Sequence, residues 1–221
     1  MNQSETRERP AVLCASAIRP DAIGGQARSR REALAIIGAE SLIKPAFSFR
    51  MFDVREVRGD VLDLGEAQIR VPAIAALPGT LEGVAAAACT IGAALEQRVS
   101  RLFAEHQPLL ALALDAIGTE KLFALAERAA LRIRREARSR GLQTGPEANP
   151  GDAGFPIDQQ GLVLSLAGAA EGGVTTGGAG MLVPVKSLSF LLPTGRDLPA
   201  PSLFRRCERC SSKDRCTNKA N

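Results

Sequence analysis

Tryptophan and tyrosine are absent from this 221-residue chain, and histidine occurs once, at His106. One histidine excludes a multi-histidine zinc site and leaves a Ser-His-Asp triad without a spare partner. Scarce aromatics leave little with which to stack nucleobases. His106 follows an expected helix end at Glu105 and precedes Pro108, the setting of an ordinary loop residue. Long apolar runs are also missing: residues 109–117 and 161–170 are too short to span a bilayer. Nor is there the apolar core of a secretory leader near Glu5, Arg7, Glu8 and Arg9, and the stretch behind them is broken by Pro10, Arg19 and Pro20. A cytoplasmic protein with no membrane span is expected.

What is present suits one sizeable core, since hydrophobic side chains make up 45% of the chain. The net charge of +4 is carried entirely by residues 196–221, where Arg196, Arg205, Arg206, Arg209, Lys213, Arg215 and Lys219 face Asp197, Glu208 and Asp214. A nucleic-acid binder would spread basic charge over a face, so composition supports a basic tail at most. Five cysteines, three of them at 207, 210 and 216, do not make a secreted disulfide framework. Metal binding or reduced thiols fit better.

Along the chain, residues 1–28 show no sustained period and read as a flexible arm. Ser29 is expected to cap a helix carrying Ala33, Leu34, Ile36 and Ile37 and ending at Gly38. Residues 47–57 and 61–71 alternate as strands joined in a hairpin at Arg58-Gly59-Asp60. The Ala-rich run 81–90 fits a buried strand or a helix, and period alone does not decide. Residues 93–105 read as a helix with Leu95, Val99, Leu102 and Phe103 inward. Residues 108–140 read as one or two helices with Leu122, Leu125, Ala129 and Ile133 on the buried side. Glu127, Arg128, Arg134, Arg135 and Arg138 are expected in solvent, and interleaved Glu120, Glu127 and Glu136 argue against nucleic acid there. Gly141 stops the helix before a long loop, residues 144–156, of the kind that often carries function. A helix over 157–169, strand starts at Val174 and 181–185, and an apolar run 188–192 follow. A Pro-rich linker, 198–201, leads into the basic cysteine tail, taken as 196–221.

Two motifs carry candidate chemistry. Cys207-Glu208-Arg209-Cys210 with Cys216 is a C-x2-C-x5-C pattern that chelates one metal centre, and the nearby cations favour the thiolate. A fourth ligand must come from Cys89, Cys14, an exogenous group or a partner. Three thiolates with an open position suit an iron–sulfur cluster ahead of zinc; an unliganded tail or a Cys207–Cys210 redox pair is the plainer alternative. The Gly-rich segment 171–180 offers backbone amides to a ligand, though its spacing is neither a P-loop nor a dinucleotide fingerprint. A tight turn between core elements would use the same residues.

Four ordered stretches resemble the activation domain of cobalamin-dependent methionine synthase, in its short free-standing bacterial form. They are Cys89-Thr90-Ile91-Gly92 with Leu95-Glu96; residues 113–119; Asn149-Pro150-Gly151 with Phe155-Pro156 and Gln160; and Gly173-Val174-Thr175 through Met181 to Ser189. The resemblance covers residues 29–192 and implies a domain over 29–195. It further implies an α+β fold, helmet-like, with a twisted, largely antiparallel sheet and flanking helices, and it favours strand at the end of 81–90. In the family this domain binds S-adenosylmethionine and caps the cobalamin domain during reductive methylation. The resemblance therefore implies an accessory or reactivation subunit that docks on the cobalamin domain of a partner corrinoid methyltransferase. Pro150, Gly151, Thr175, Thr176, Gly177 and Met181 would face the cofactor, with Thr90-Ile91-Gly92 nearby.

One departure bears on the ligand. Where the family reads Arg, any residue, a small residue, Pro, Gly, Tyr, this chain has Glu147, Ala148, Asn149, Pro150, Gly151 and Asp152. An acid replaces the cation that can pair with the substrate carboxylate, and the flat aromatic is lost, which argues against S-adenosylmethionine in its usual pose. The chain has no Asp-x-His-x-x-Gly segment, so His106 is not the usual histidine beneath cobalt, and a partner must hold the corrinoid. It is at most one component of such an enzyme. A non-catalytic binding module that has lost S-adenosylmethionine recognition, and a basic zinc-tail nucleic-acid binder, are the other readings.

Overall fold

The computed structural model describes residues 20–200. Helix α1 runs Pro20–Glu40. It begins at Pro20, ahead of the expected cap at Ser29, and passes through Gly38, the expected stop. The pair Pro20-Asp21 is itself a start signal, because proline at the first helical position loses no needed N–H and an acid suits the positive end of the helix. The weak apolar period reflects shallow packing: Ala33 is buried, while Ile36 and Ile37 only lean on the core.

Each of the two alternating stretches divides in two. Strand β1 is Ala46–Asp53, while β2 (Glu56–Arg58), β3 (Val61–Asp63) and β4 (Gln68–Arg70) form a small antiparallel meander. Its first turn, at Gly59-Asp60, is the expected hairpin, with Gly59 at φ 61°. Then come the short helix α2 (Pro72–Ala75), strand β5 (Thr80–Thr90), helix α3 (Ala94–Ala104) and helix α4 (Pro108–Ser139), a single helix of 32 residues. Strand β6 (Gln143–Thr144), helix α5 (Gln160–Ala167), the ribbon β7 (Thr175–Thr176) with β8 (Leu182–Val183), and β9 (Ser187–Arg196) complete the order.

The main sheet has the order β1-β5-β9-β6 and is antiparallel throughout. The fold is thus α+β, as expected. Strand β5 is buried on both faces: Ala85, Ala87 and Cys89 join one core cluster with α1, α3 and α4, and Val84, Ala86 and Ala88 join a second with α2, α5 and the meander. A strand covered twice loses the apolar-polar alternation that would have marked it.

On α3, Leu95, Val99 and Leu102 are buried but Phe103 is 47% exposed, against expectation. Phe103 lies one residue, about 100°, round from Leu102 and falls off the buried stripe. On α4, Leu122, Leu125, Ala129 and Ile133 are buried as expected, whereas Arg134, expected in solvent, is buried too. Gly141, at φ 73°, stops the helix.

Candidate functional site

The loop after β6 is fastened to the sheet before it turns outward. Gly145 donates its N–H to Pro193 O, and Ala148 and Leu191 exchange N–H···O bonds of 3.0 and 2.8 Å. The turn that follows is closed by Asp152 N to Asn149 O (3.0 Å) and Gly151 N to Phe155 O (2.8 Å). Gly151 sits at φ 94°, a conformation that favours glycine, and Asn149 Nδ2 donates to Asp152 Oδ2 at 2.8 Å. The side chain that anchors all of this is Phe155, 1% exposed in the second core cluster.

The Gly-rich segment forms the β7–β8 ribbon. Thr175 pairs with Val183 and Thr176 with Leu182, and Gly177 N to Met181 O (2.7 Å) closes the turn. Val174 is buried beneath, while Thr175, Thr176, Gly177 and Met181 are exposed. The two segments meet at Ile157: a methyl placed on Gly151 would lie 3.4 Å from Ile157 Cδ1, and one on Gly180 would lie 3.0 Å from Ile157 Cγ1. The structure therefore brings the Pro150-Gly151 turn and the 177–181 turn together, with Ile157 between them.

Around this junction lies an apolar surface that sequence reasoning missed. Ile157 (46%), Met181 (59%), Val183 (48%) and Val185 (58%) are all exposed. The clue was available in Met181 and Val183, which flank Leu182 of β8 and so share a side, with Val185 following in the bend beyond it. Beside the turn is an open depression of about 460 Å³ whose lining includes Arg70, Asp152, Pro156 and Ile157. Arg70 is its one cationic lining residue and is already engaged: its Nε donates to Asp60 Oδ2 at 2.7 Å, which holds the Asp60 carboxyl below its ordinary value.

Thr90-Ile91-Gly92 does not present side chains to this surface. Thr90 and Ile91 are buried, and Thr90 Oγ1 accepts from Gly92 N (3.0 Å) and from Ser187 Oγ (2.9 Å), stitching the end of β5 to the start of β9. The segment entering β9 is braced from the helices. Glu96 Oε2 accepts Val185 N–H at 2.7 Å, and Lys186 Nζ reaches Asp115 Oδ1 and Thr119 Oγ1, both at 2.8 Å. Gln160, from the third resembling stretch, is buried and donates through Nε2 to the buried Ser189 Oγ, which ties α5 to β9.

Cys207, Cys210 and Cys216 lie outside the described residues. Cys89, one source for a fourth ligand, is fully buried in the first core cluster and closed off from any ligand outside the core. Among the described residues no group of three or more His, Cys, Asp or Glu is placed to hold a metal. His106 stands in the α3–α4 turn at φ 58°, in the helical layer across the sheet from the loops. No described helix is long and apolar enough to cross a membrane.

An antiparallel sheet between two helical layers, with two clamped glycine turns meeting on one side, defines an α+β domain of a particular known build. The structure resembles the MetH reactivation domain bound to AdoHcy, with a TM-score of 0.61 and 14% sequence identity over 89% of this chain and 74% of that one. At that identity the likeness is one of fold. The sequence matches no family model and no curated protein.

Proposed function

We propose that this protein is an accessory or reactivation subunit of a corrinoid-dependent methyltransferase, docking over a cobalamin domain carried by a separate chain. The observation that carries the reading is the meeting of the 150–151 and 177–181 turns at Ile157 within an exposed apolar surface, on a fold like that of the MetH reactivation domain. Ile157, Met181, Val183 and Val185 can cover a flat apolar macrocycle and exclude water from it, while the threonines and turn amides meet its polar rim.

The resemblance puts Glu147 where the family carries a cation able to pair with the carboxylate of S-adenosylmethionine, and Asp152 here spends its own carboxylate on Asn149. This favours a second reading, a binding module that docks without that ligand. Calorimetry separates the two: micromolar S-adenosylmethionine binding removes the second reading, and partner binding with no ligand present supports it.

The tail cysteines, Cys207, Cys210 and Cys216, are proposed to hold an iron–sulfur cluster, with zinc as the alternative. Iron, sulfide and zinc analysis of anaerobically prepared protein, beside a Cys207→Ser variant, decides between them. The docking itself is tested by anaerobic capture from the protein's own cells, read by mass spectrometry and cobalt content. A cobalt-bearing methyltransferase is expected. Recovery of no corrinoid protein across several redox conditions would overturn the reading.

A further inference from the structure

Among the described residues strand β1 is an edge, paired only with β5. The β1–β5 register continues one residue past Asp53↔Gly83 as Val54 N to Glu82 O, 2.9 Å, which fixes the even-numbered residues of β1 as those bonded to β5. The main-chain groups of Phe47, Phe49 and Met51 therefore point away from the sheet, and among the described residues no hydrogen bond is recorded to them. The usual protections of an edge are thin here: β1 is eight residues long, without proline, lysine or a bulge. Phe47 is 40% exposed, and Phe49 and Met51 are only part-buried against the helical layer.

We propose that β1 pairs antiparallel with β1 of a second copy about a two-fold axis at Phe49, joining two four-stranded sheets into one. This inference does not depend on the function proposed above. The register follows from chemistry. Outward-facing residues pair only with outward-facing residues, so Ser48, Phe49, Arg50 or Met51 lies on the axis. Placing Ser48 there sets Pro45, which has no N–H, against Met51 and ends the ladder at residues 46–50. Placing Arg50 there sets two guanidinium groups directly opposite each other, which is unfavourable. Placing Met51 there seats the Asp53 carboxylate against Phe49. With Phe49 on the axis, residues 46–52 all pair, with Phe47 opposite Met51, Phe49 opposite its own copy and Ser48 opposite Arg50, so the apolar pairs fall on one face and no like charges stand directly opposite each other. The last described residues of the chain cross to the far side: Leu198 is buried beside Gly145, next to β6, at the other edge of the sheet.

Sedimentation of the full chain from about 1 to 100 μM tests the pairing. A dimer is expected for the natural sequence. Monomers are expected for Phe47→Lys, which charges the edge, and for Phe47→Pro, which removes an N–H that points away from β5. Both variants should keep the circular dichroism spectrum. Phe49→Cys should cross-link to its own copy under mild oxidation, because directly hydrogen-bonded antiparallel residues sit about 5.5 Å apart at Cα, within disulfide reach. Peptide mapping separates that link from the natural cysteines, and it keeps the test decisive if the Phe47 variants misfold. A natural chain monomeric throughout the range overturns the proposal, as does a dimer that survives both Phe47 changes or an Arg50→Cys variant that cross-links to itself in preference to Phe49→Cys. A monomer whose amides at 47, 49 and 51 resist hydrogen exchange also overturns it, since the chain's own segments would then occupy the edge.

Discussion

Gly195 shows how tightly individual residues are set in this fold. A methyl on it would run into Thr80 O, a backbone atom with no side chain to swing aside, close to where the β5–β9 register shifts between Leu81 and Gly83. Gly195→Ala should destabilise the protein by about 1–3 kcal/mol in chemical denaturation, with the slope unchanged. Gly180 is different, because its neighbour, Ile157 Cγ1 at 3.0 Å, is the movable part of an exposed side chain. Gly180 also holds φ 76°, so Gly180→Ala strains the turn locally while leaving the core packing alone. Gln160→Ala should cost about 1–3 kcal/mol, because it strands the buried hydroxyl of Ser189. These residue roles separate what sequence could and could not reveal. Gly151 stood out within a resembling motif, and Asp152 as the residue standing where the family carries an aromatic; the structure adds that both close a turn. Gln160 stood out within a resembling motif, yet its side chain points inward and serves packing, a distinction that requires the fold.

At the scale of elements, the ties between α1 and the rest are electrostatic as well as apolar. Arg30 donates to both carboxylate oxygens of Glu120 on α4, at 2.9 and 2.7 Å, and this hydrogen bonding holds the Glu120 carboxyl below its ordinary 4.5. A depressed carboxyl contributes stability that is present above its unfolded value and lost as pH falls through its folded value. The α1–α4 tie should therefore be intact at neutral pH and weaken as pH falls below the ordinary 4.5 of a glutamate. Both side chains are half-exposed, so Glu120→Gln should cost less than about 1 kcal/mol at pH 7 and less still in high salt. Equal stability losses for that variant at pH 7 and pH 2 would contradict this account. The element that sequence read least well was α1, whose start at Pro20 was hidden by Gly24-Gly25 and by its thin apolar stripe. The Ala-rich β5 was ambiguous for the opposite reason: with both faces buried, its small side chains let helices approach from each side and leave no period to read. The long helix α4 was legible because one side meets the core and the other meets water.

Across the whole molecule, the candidate face is assembled from segments whose order was readable but whose meeting was not. Pro150-Gly151 and Gly177 to Met181 are joined through Ile157, a residue that sequence placed merely at the start of a helix. The depression draws on Arg70 from the distant β4, a contribution that no local pattern announces. The chemistry of the face predicts how its partner should bind. Its exposed side chains are chiefly apolar, whereas the net positive charge resides in the tail from Arg196 onward, so docking through the face and binding through the tail differ in salt dependence. Capture through Met181 and Val185 should change little between about 50 and 200 mM salt, whereas phosphate-backbone binding through the tail would weaken by orders of magnitude over that range. Met181→Glu combined with Val185→Glu should weaken capture at least tenfold, about 1.4 kcal/mol, with an unchanged melting temperature, since neither side chain belongs to a core cluster. Deleting residues 205–221 should leave that capture intact. If the deletion abolishes binding while the double substitution does not, the binding surface is the basic tail, and the apolar junction at Ile157 does not carry the function.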